Sequence, residues 1–310
     1  MPTAWLVALA AGLASGLLHI GGGLGTGSSL LLSQISALPI FLVALGVGYR
    51  PALLAAACGA ILALLFGRGL AAVTYLLVDG VITVCLGRLA LLSRAGEGRR
   101  DWYPAGHLLT WLFALLAGCY GLALLAAAAS GEGLLAHLGG MLDQAIAAFG
   151  DNLQARQADM LRAAVVLVPG MLGAFVMLQT VVNALLAQSL LLRGGRAIRP
   201  AEAFTDLTLP RELAYILAAA VVAALLPTGI APVGLTLAIL ASVPYFLLGL
   251  AVVHALLARH PARGLLLALC YGALFLLLVI FAPVAILLVG LGLFEQFFGL
   301  RARRTRRKEE

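Results

Sequence analysis

Charge is what this sequence has least of. Asp, Glu, Lys and Arg make up 11% of its 310 residues, against about 25% in an ordinary soluble domain. Hydrophobic residues make up 63%, and the mean hydropathy is +1.09. A chain with so few charges cannot present a solvated surface, which excludes a soluble enzyme, a disordered chain and a fibrous protein. Cysteine is scarce too: Cys58, Cys85, Cys119 and Cys270 lie inside apolar runs, without CxxC spacing. They read as small packing residues, so a secreted disulfide scaffold and a zinc site are excluded. Lysine is nearly absent, since nineteen of the twenty basic residues are Arg. That bias points to a GC-rich bacterial genome rather than to chemistry.

Long apolar runs are what it has instead. Leu265–Leu293 carries no charge over 29 residues, and about 20 apolar residues cross a bilayer. The expected fold is all-α: a polytopic transmembrane helical bundle of eight to ten spans. Gly, Pro and charge punctuation divide it into ten segments. They are 4–21, 28–47, 51–66, 69–92, 107–129, 163–192, 211–227, 232–258, 264–281 and 284–298. The second has features of a partly re-entrant segment. No basic leader precedes the first, which reads as an uncleaved span.

Positive residues set the expected orientation. With the N-terminus inside, seventeen of the twenty basic residues face the cytoplasm, and only Arg68, Arg156 and Arg162 fall outside. Both termini are then cytoplasmic, in a bacterial inner membrane. Residues 264–298 read as a hairpin of two short spans around Pro283, because a single span would carry the basic tail outside. The tail, 301–310, holds six basic residues within Arg301–Lys308 and is expected to meet anionic lipid rather than nucleic acid. Residues 1–300 form one membrane-embedded domain. Its external segment, 130–162, places Leu134, Leu138, Met141, Leu142, Ile146, Phe149 and Leu153 at helical spacing opposite Glu132, Asp143, Gln144, Asp151, Gln154 and Asp159. That pattern is an amphipathic helix.

Candidate binding residues are the polar groups stranded at depth. Asp79 is the eleventh residue of segment 69–92, about 15 Å along a helix that crosses about 30 Å. A carboxylate at that depth costs roughly 2.5–3.5 kcal/mol to insert, so it reads as a ligand, ion or proton site, or else as a neutral group joining helices. Tyr75 and Thr83 share its stripe at four-residue spacing. Gln179 and Asn183 pair the same way near the middle of 163–192, able to reach Asp79 or a polar substrate, or else to join helices by hydrogen bonds, and Pro169-Gly170 should kink that segment or open its backbone. His254 stands near a helix end, and His19 near the opposite face. The run Gly21–Ser29 fails as a phosphate loop, having no following Lys and no preceding strand, and reads as a flexible connector. No catalytic, metal or cofactor motif is found, so an enzyme is not expected. The ridge Ala4, Ala8, Gly12 and Gly16 allows close helix packing, within the chain or against a membrane partner subunit.

Several features together carry a resemblance: Leu38-Pro39 followed by Gly46 and Gly48, the loop Trp102-Tyr103-Pro104-Ala105-Gly106, the run Pro244–His254, and the ending Phe294–Leu300. With these the chain resembles the uncharacterised YybS-like family of bacterial multi-pass membrane proteins. That family is held to be akin to the substrate-binding S components of energy-coupling-factor transporters and to the cell-shape protein MreD. The resemblance implies a helical binding bundle whose first helix docks a partner. Two functions follow as expectations: binding and translocation of a small molecule or lipid, or a non-catalytic scaffold of the cell-envelope machinery. Ten segments are more than the about six that an S component would need.

Overall fold

A computed structural model describes residues 2–24, 27–67, 69–95, 100–149, 155–257, 262–280 and 284–301. The chain is almost entirely helical, an all-α bundle. Seven stretches among the described residues are long and apolar enough to cross a membrane. They are Thr3–Gly21, Gly27–Gly46, Tyr49–Phe66, Gly69–Ala90, Ala105–Ala129, Ala155–Arg193 and Ala231–Leu257. Shorter apolar helices accompany them.

In chain order, α1 (Pro2–Gly21) leads through a 3-10 turn at Gly22–Leu24 to α2 (Gly27–Ser33) and α3 (Leu38–Gly46). The glycine run is therefore not simply a connector: Gly27, Ser28 and Ser29 already belong to α2. Segment 28–47 is two half-helices with turns at 34–37 between them. Pro39 explains the break. It has no N–H to donate back to Ile35, its ring opposes the carbonyl four residues earlier, and it stands in the first turn of α3, where a helix start tolerates it. A tight link at Gly48, whose φ of 125° favours glycine, turns the chain into α4 (Tyr49–Phe66).

The next crossing runs through α5 (Gly69–Thr74), a π-helical segment (Tyr75–Ile82) and α6 (Thr83–Ala90). A small antiparallel hairpin follows, β1 (Ser93–Ala95) on β2 (Arg100–Trp102), with Arg94 opposite Asp101. Then come α7 (Ala105–Ala129), α8 (Leu134–Phe149) and α9 (Ala155–Ala164). A 3-10 turn at Val165–Leu167 joins α9 to α10 (Val168–Arg193), so the crossing starts earlier than residue 163. Pro169 sits in the first turn of α10, where its missing N–H is harmless, rather than kinking the helix from within. The end of the chain folds as α11 (Arg211–Leu225), α12 (Ala231–Leu257), α13 (Arg263–Ile280) and α14 (Val284–Phe298). The stretch 264–298 is thus two helices. Pro283 between them lies outside the described residues, as do Arg68, Arg99, Arg259, Asp151, Leu153, Gln154 and the tail beyond Arg301.

Two apolar cores share α3. On one side Ile40, Val43 and Ala44 pack with Ala8, Ala52, Ala55 and Tyr75. On the other, Phe41 and Leu45 join a larger cluster built around α12. A helix of nine residues buried on both faces sits inside the bundle, and that puts the chain break at its heart. The segment expected to be amphipathic has α8 half-burying Leu134, Leu138, Leu142 and Ile146 at four-residue spacing, while Asp143 and Gln144 are exposed. Met141 is an exception: it lies on the exposed side. Arg162 of α9 ties back to Asp143 at 2.9 Å.

Candidate functional site

Asp79 occupies the middle of the π-helical segment and is 4% exposed. Its carboxylate has two partners from other helices. Ser36 Oγ, at the break between α2 and α3, donates to Oδ1 at 2.7 Å. His19 Nδ1, near the end of α1, lies 2.7 Å from Oδ2. A third side chain frames the site: the Tyr75 ring meets His19 edge-on, with centroids 5.2 Å apart. The Tyr75 hydroxyl donates to Ser15 Oγ at 2.8 Å, and Ser15 in turn donates to the Ser36 carbonyl at 2.6 Å. Exposure falls along this array: the His19 side chain is 20% exposed and that of Asp79 5%. Thr74 Oγ1 stands 3.5 Å from His19 Nε2 on the outer side. The array therefore reaches from the edge of the bundle to a buried carboxylate.

The break needs its own backbone partners, because the hydrocarbon core offers no water to a freed carbonyl. The Gln34 carbonyl has lost its helical donor, and two amides supply substitutes. Gln179 Nε2 donates to it at 3.0 Å and Asn183 Nδ2 at 2.8 Å. Of the two readings of this amide pair, the structure shows the helix-joining one: both amides bond the backbone of the broken helix and not Asp79. Three buried acceptors around these residues, Gln34 Oε1, Asn183 Oδ1 and Thr83 Oγ1, have no hydrogen-bond partner. They are acceptors with spare capacity at membrane depth, the kind of group that a bound cation, proton donor or polar ligand would satisfy.

Close packing of α1 on α4 makes room for this arrangement. A Cβ at Gly12 would lie 2.3 Å from the Ala55 carbonyl, and one at Gly59 would lie 1.8 Å from the Tyr75 hydroxyl. The absent side chains form the slot in which Tyr75 crosses α4 to reach Ser15. Of the ridge Ala4, Ala8, Gly12 and Gly16, the last three are buried and pack against α4 within the chain, while Ala4 is half-buried.

Of the residues singled out in the sequence, Asp79 and Tyr75 meet in the site. Thr83 is buried with them on the same crossing. Gln179 and Asn183 serve the neighbouring break. His254 lies elsewhere: its Nδ1 is 3.3 Å from the Tyr271 hydroxyl, and its ring stands edge-on to Phe204. The sequence underrated His19, which is the carboxylate's partner, and missed Ser15, Ser36 and Gly59. His19 and Asp79 are sixty residues apart, and only the contact of α1 with the π-helical crossing joins them. A usable signal was present in Leu38-Pro39, because a proline inside an apolar run can start a new helix, although Pro244 stands within the unbroken α12. Among the described residues no group of His, Cys, Asp and Glu is arranged to hold a metal ion.

The family model described as "Predicted membrane protein (DUF2232)" matches residues 26–294. The chain belongs to this family. The match covers both half-helices, the π-helical crossing, α10 and most of α14, so every part of the site except the α1 residues Ser15 and His19 lies within it. No curated protein matches the chain, and no solved structure does.

Proposed function

We propose that this protein is a non-enzymatic binding and translocation protein of a bacterial inner membrane, with both termini cytoplasmic. It takes a small molecule or lipid, in the manner suggested by the resemblance to transporter S components. Its working centre is the Asp79–His19 pair beside the break between α2 and α3. One observation carries the reading: a buried carboxylate on a π-helical turn faces a discontinuous helix. Single π-helical turns occur often at functional sites, and broken helices at the bilayer midplane are where many transporters bind substrates and coupling ions. A carboxylate there can take up a proton, a cation or a cationic group, and His19 can pass or share its charge. The scaffold reading is weaker, because the α1 ridge that would have docked a partner is already covered by α4.

The test compares wild type with Asp79→Asn in lipid nanodiscs. Thermal unfolding is followed from mildly acid to mildly alkaline pH, in sodium and in choline salts. A working charged site makes wild-type stability respond to protons or sodium, and the folded Asn variant loses that response. If both proteins respond identically, Asp79 is only joining helices, and the scaffold function becomes the better account.

A further inference from the structure

Away from Asp79, on the other side of α3, the bundle encloses a second feature. It is a cavity of about 180 Å³ between α3, α6, α7, α10 and α12. Phe41, Leu86, Leu112 and Leu247 form its inner wall. Its one side-chain hydroxyl, on Thr180, already donates to the Val176 carbonyl at 2.7 Å, which leaves only the acceptor side of a single oxygen for water. A cavity of this size has room for several waters of about 30 Å³ each, yet each water needs two to four polar partners. The cavity therefore disfavours water, and apolar cavities of roughly 150 Å³ take up a benzene-sized body.

Two further observations choose the occupant. The wall includes Leu185 of α10, which is 61% exposed on the flank of a membrane-crossing helix, so the mouth opens sideways toward lipid. The far end is lined by Phe204 and buried Leu207 from the loop between α10 and α11. That loop is strapped in place: Arg301 donates to the carbonyls of Thr205 and Leu207 while paired with buried Glu295. Gln296 Nε2 holds the Leu209 and Pro210 carbonyls at 3.2 and 3.1 Å. Phe204 is 37% exposed, so the strapped loop narrows the cavity at this end, while the wider exposure of Leu185 leaves its flank turned to the bilayer.

We infer that this cavity is a binding site for the hydrocarbon chain of a membrane lipid, entering between α7 and α10. The inference is independent of any role for Asp79. The test places the full-length protein in nanodiscs that contain a trace of phosphatidylglycerol with a diazirine midway along one acyl chain. Irradiation followed by peptide mass spectrometry should find adducts on Phe41, Leu112 or Leu247. Ala184→Trp, which fills the cavity, should reduce them about tenfold, while adducts on outward-facing Leu172 stay unchanged. If the Trp variant does not fold, Ala184→Leu replaces it with fewer added atoms. Wild-type adducts confined to Leu185 and other lipid-facing residues would overturn the proposal, as would full inner-wall labelling in a folded filled variant. So would inner-wall labelling by a water-soluble apolar diazirine but not by the lipid, because the site would then serve solutes from water.

Discussion

If His19 and Asp79 form one charged unit, their substitutions cannot be additive. The carboxylate accepts from Ser36 and lies 2.7 Å from the His19 ring nitrogen, with its own side chain 5% exposed. Asp79→Asn keeps an acceptor for Ser36 but removes the charge facing His19. His19→Gln removes the ring and retains a polar group. A hydrogen bond to a charged group contributes about 1.5–3 kcal/mol, whereas neutral hydrogen bonds between membrane helices average about 0.6 kcal/mol. The double-mutant cycle, read by unfolding purified protein in mixed micelles of rising SDS content, should therefore give a coupling energy of about 1–3 kcal/mol. Distant sites add to within about 0.5 kcal/mol. A measured coupling inside that limit would refute the charged pair and leave two separate helix-joining residues.

Three further outcomes follow from the packing. Gly12→Val drives a side chain into the Ala55 carbonyl and should cost about 1–3 kcal/mol of stability in the same SDS titration, whereas Leu13→Val, on the exposed side of α1, should be nearly silent. Arg301→Gln strands buried Glu295 and should cost about 3–5 kcal/mol, with Glu295→Gln in the same chain restoring most of it; no restoration would mean that the loop contacts of Arg301, and not the ion pair, set the loss. Replacing Arg303, Arg304, Arg306, Arg307 and Lys308 with Gln should weaken flotation of a tail peptide with anionic vesicles by about 1 kcal/mol per residue, in a salt-dependent way. Arg301 is left out of that set because Glu295 already holds it.

The class of fold was legible because one physical quantity, apolar run length, dictates it. The same runs located seven crossings to within a few residues, except where helix continued through the 3-10 turn at Val165–Leu167 into α9, whereas 211–227, 264–281 and 284–298, also expected as spans, are helices outside those seven. The site was legible only in part. Asp79 stood out because a lone carboxylate in an apolar run has no inexpensive explanation. Its partner did not stand out, because His19 lies near a helix end where a histidine is unremarkable. Ser15 and Ser36 look like small packing residues in a chain this rich in alanine and glycine. Their roles come from which helices touch, and hydrophobic periodicity is silent on that when helices are apolar all round. The ridge on α1 shows the same limit: spacing revealed a close-packing face, but only the fold could say that α4 covers it.

The backbone around Asp79 is the strongest argument that the carboxylate is more than a bond between helices. A membrane chain holds its stability by pairing every backbone group within regular helix, and a continuous α2–α3 beside an unbroken α5–α6 would do so without help. This chain departs from that state on both sides of the same side chain. On one side Pro39 ends the ladder, and Gln179 and Asn183 must be supplied to satisfy the Gln34 carbonyl. On the other, the helix widens to a π-turn over Tyr75–Ile82, a form that is rare in proteins. A purely structural carboxylate would need neither, since a regular helix can present an Asp to its neighbour equally well. Under the function proposed above, this local irregularity around a buried ionisable group, maintained by dedicated polar partners, leaves backbone and side chains able to change partners as a ligand or proton arrives.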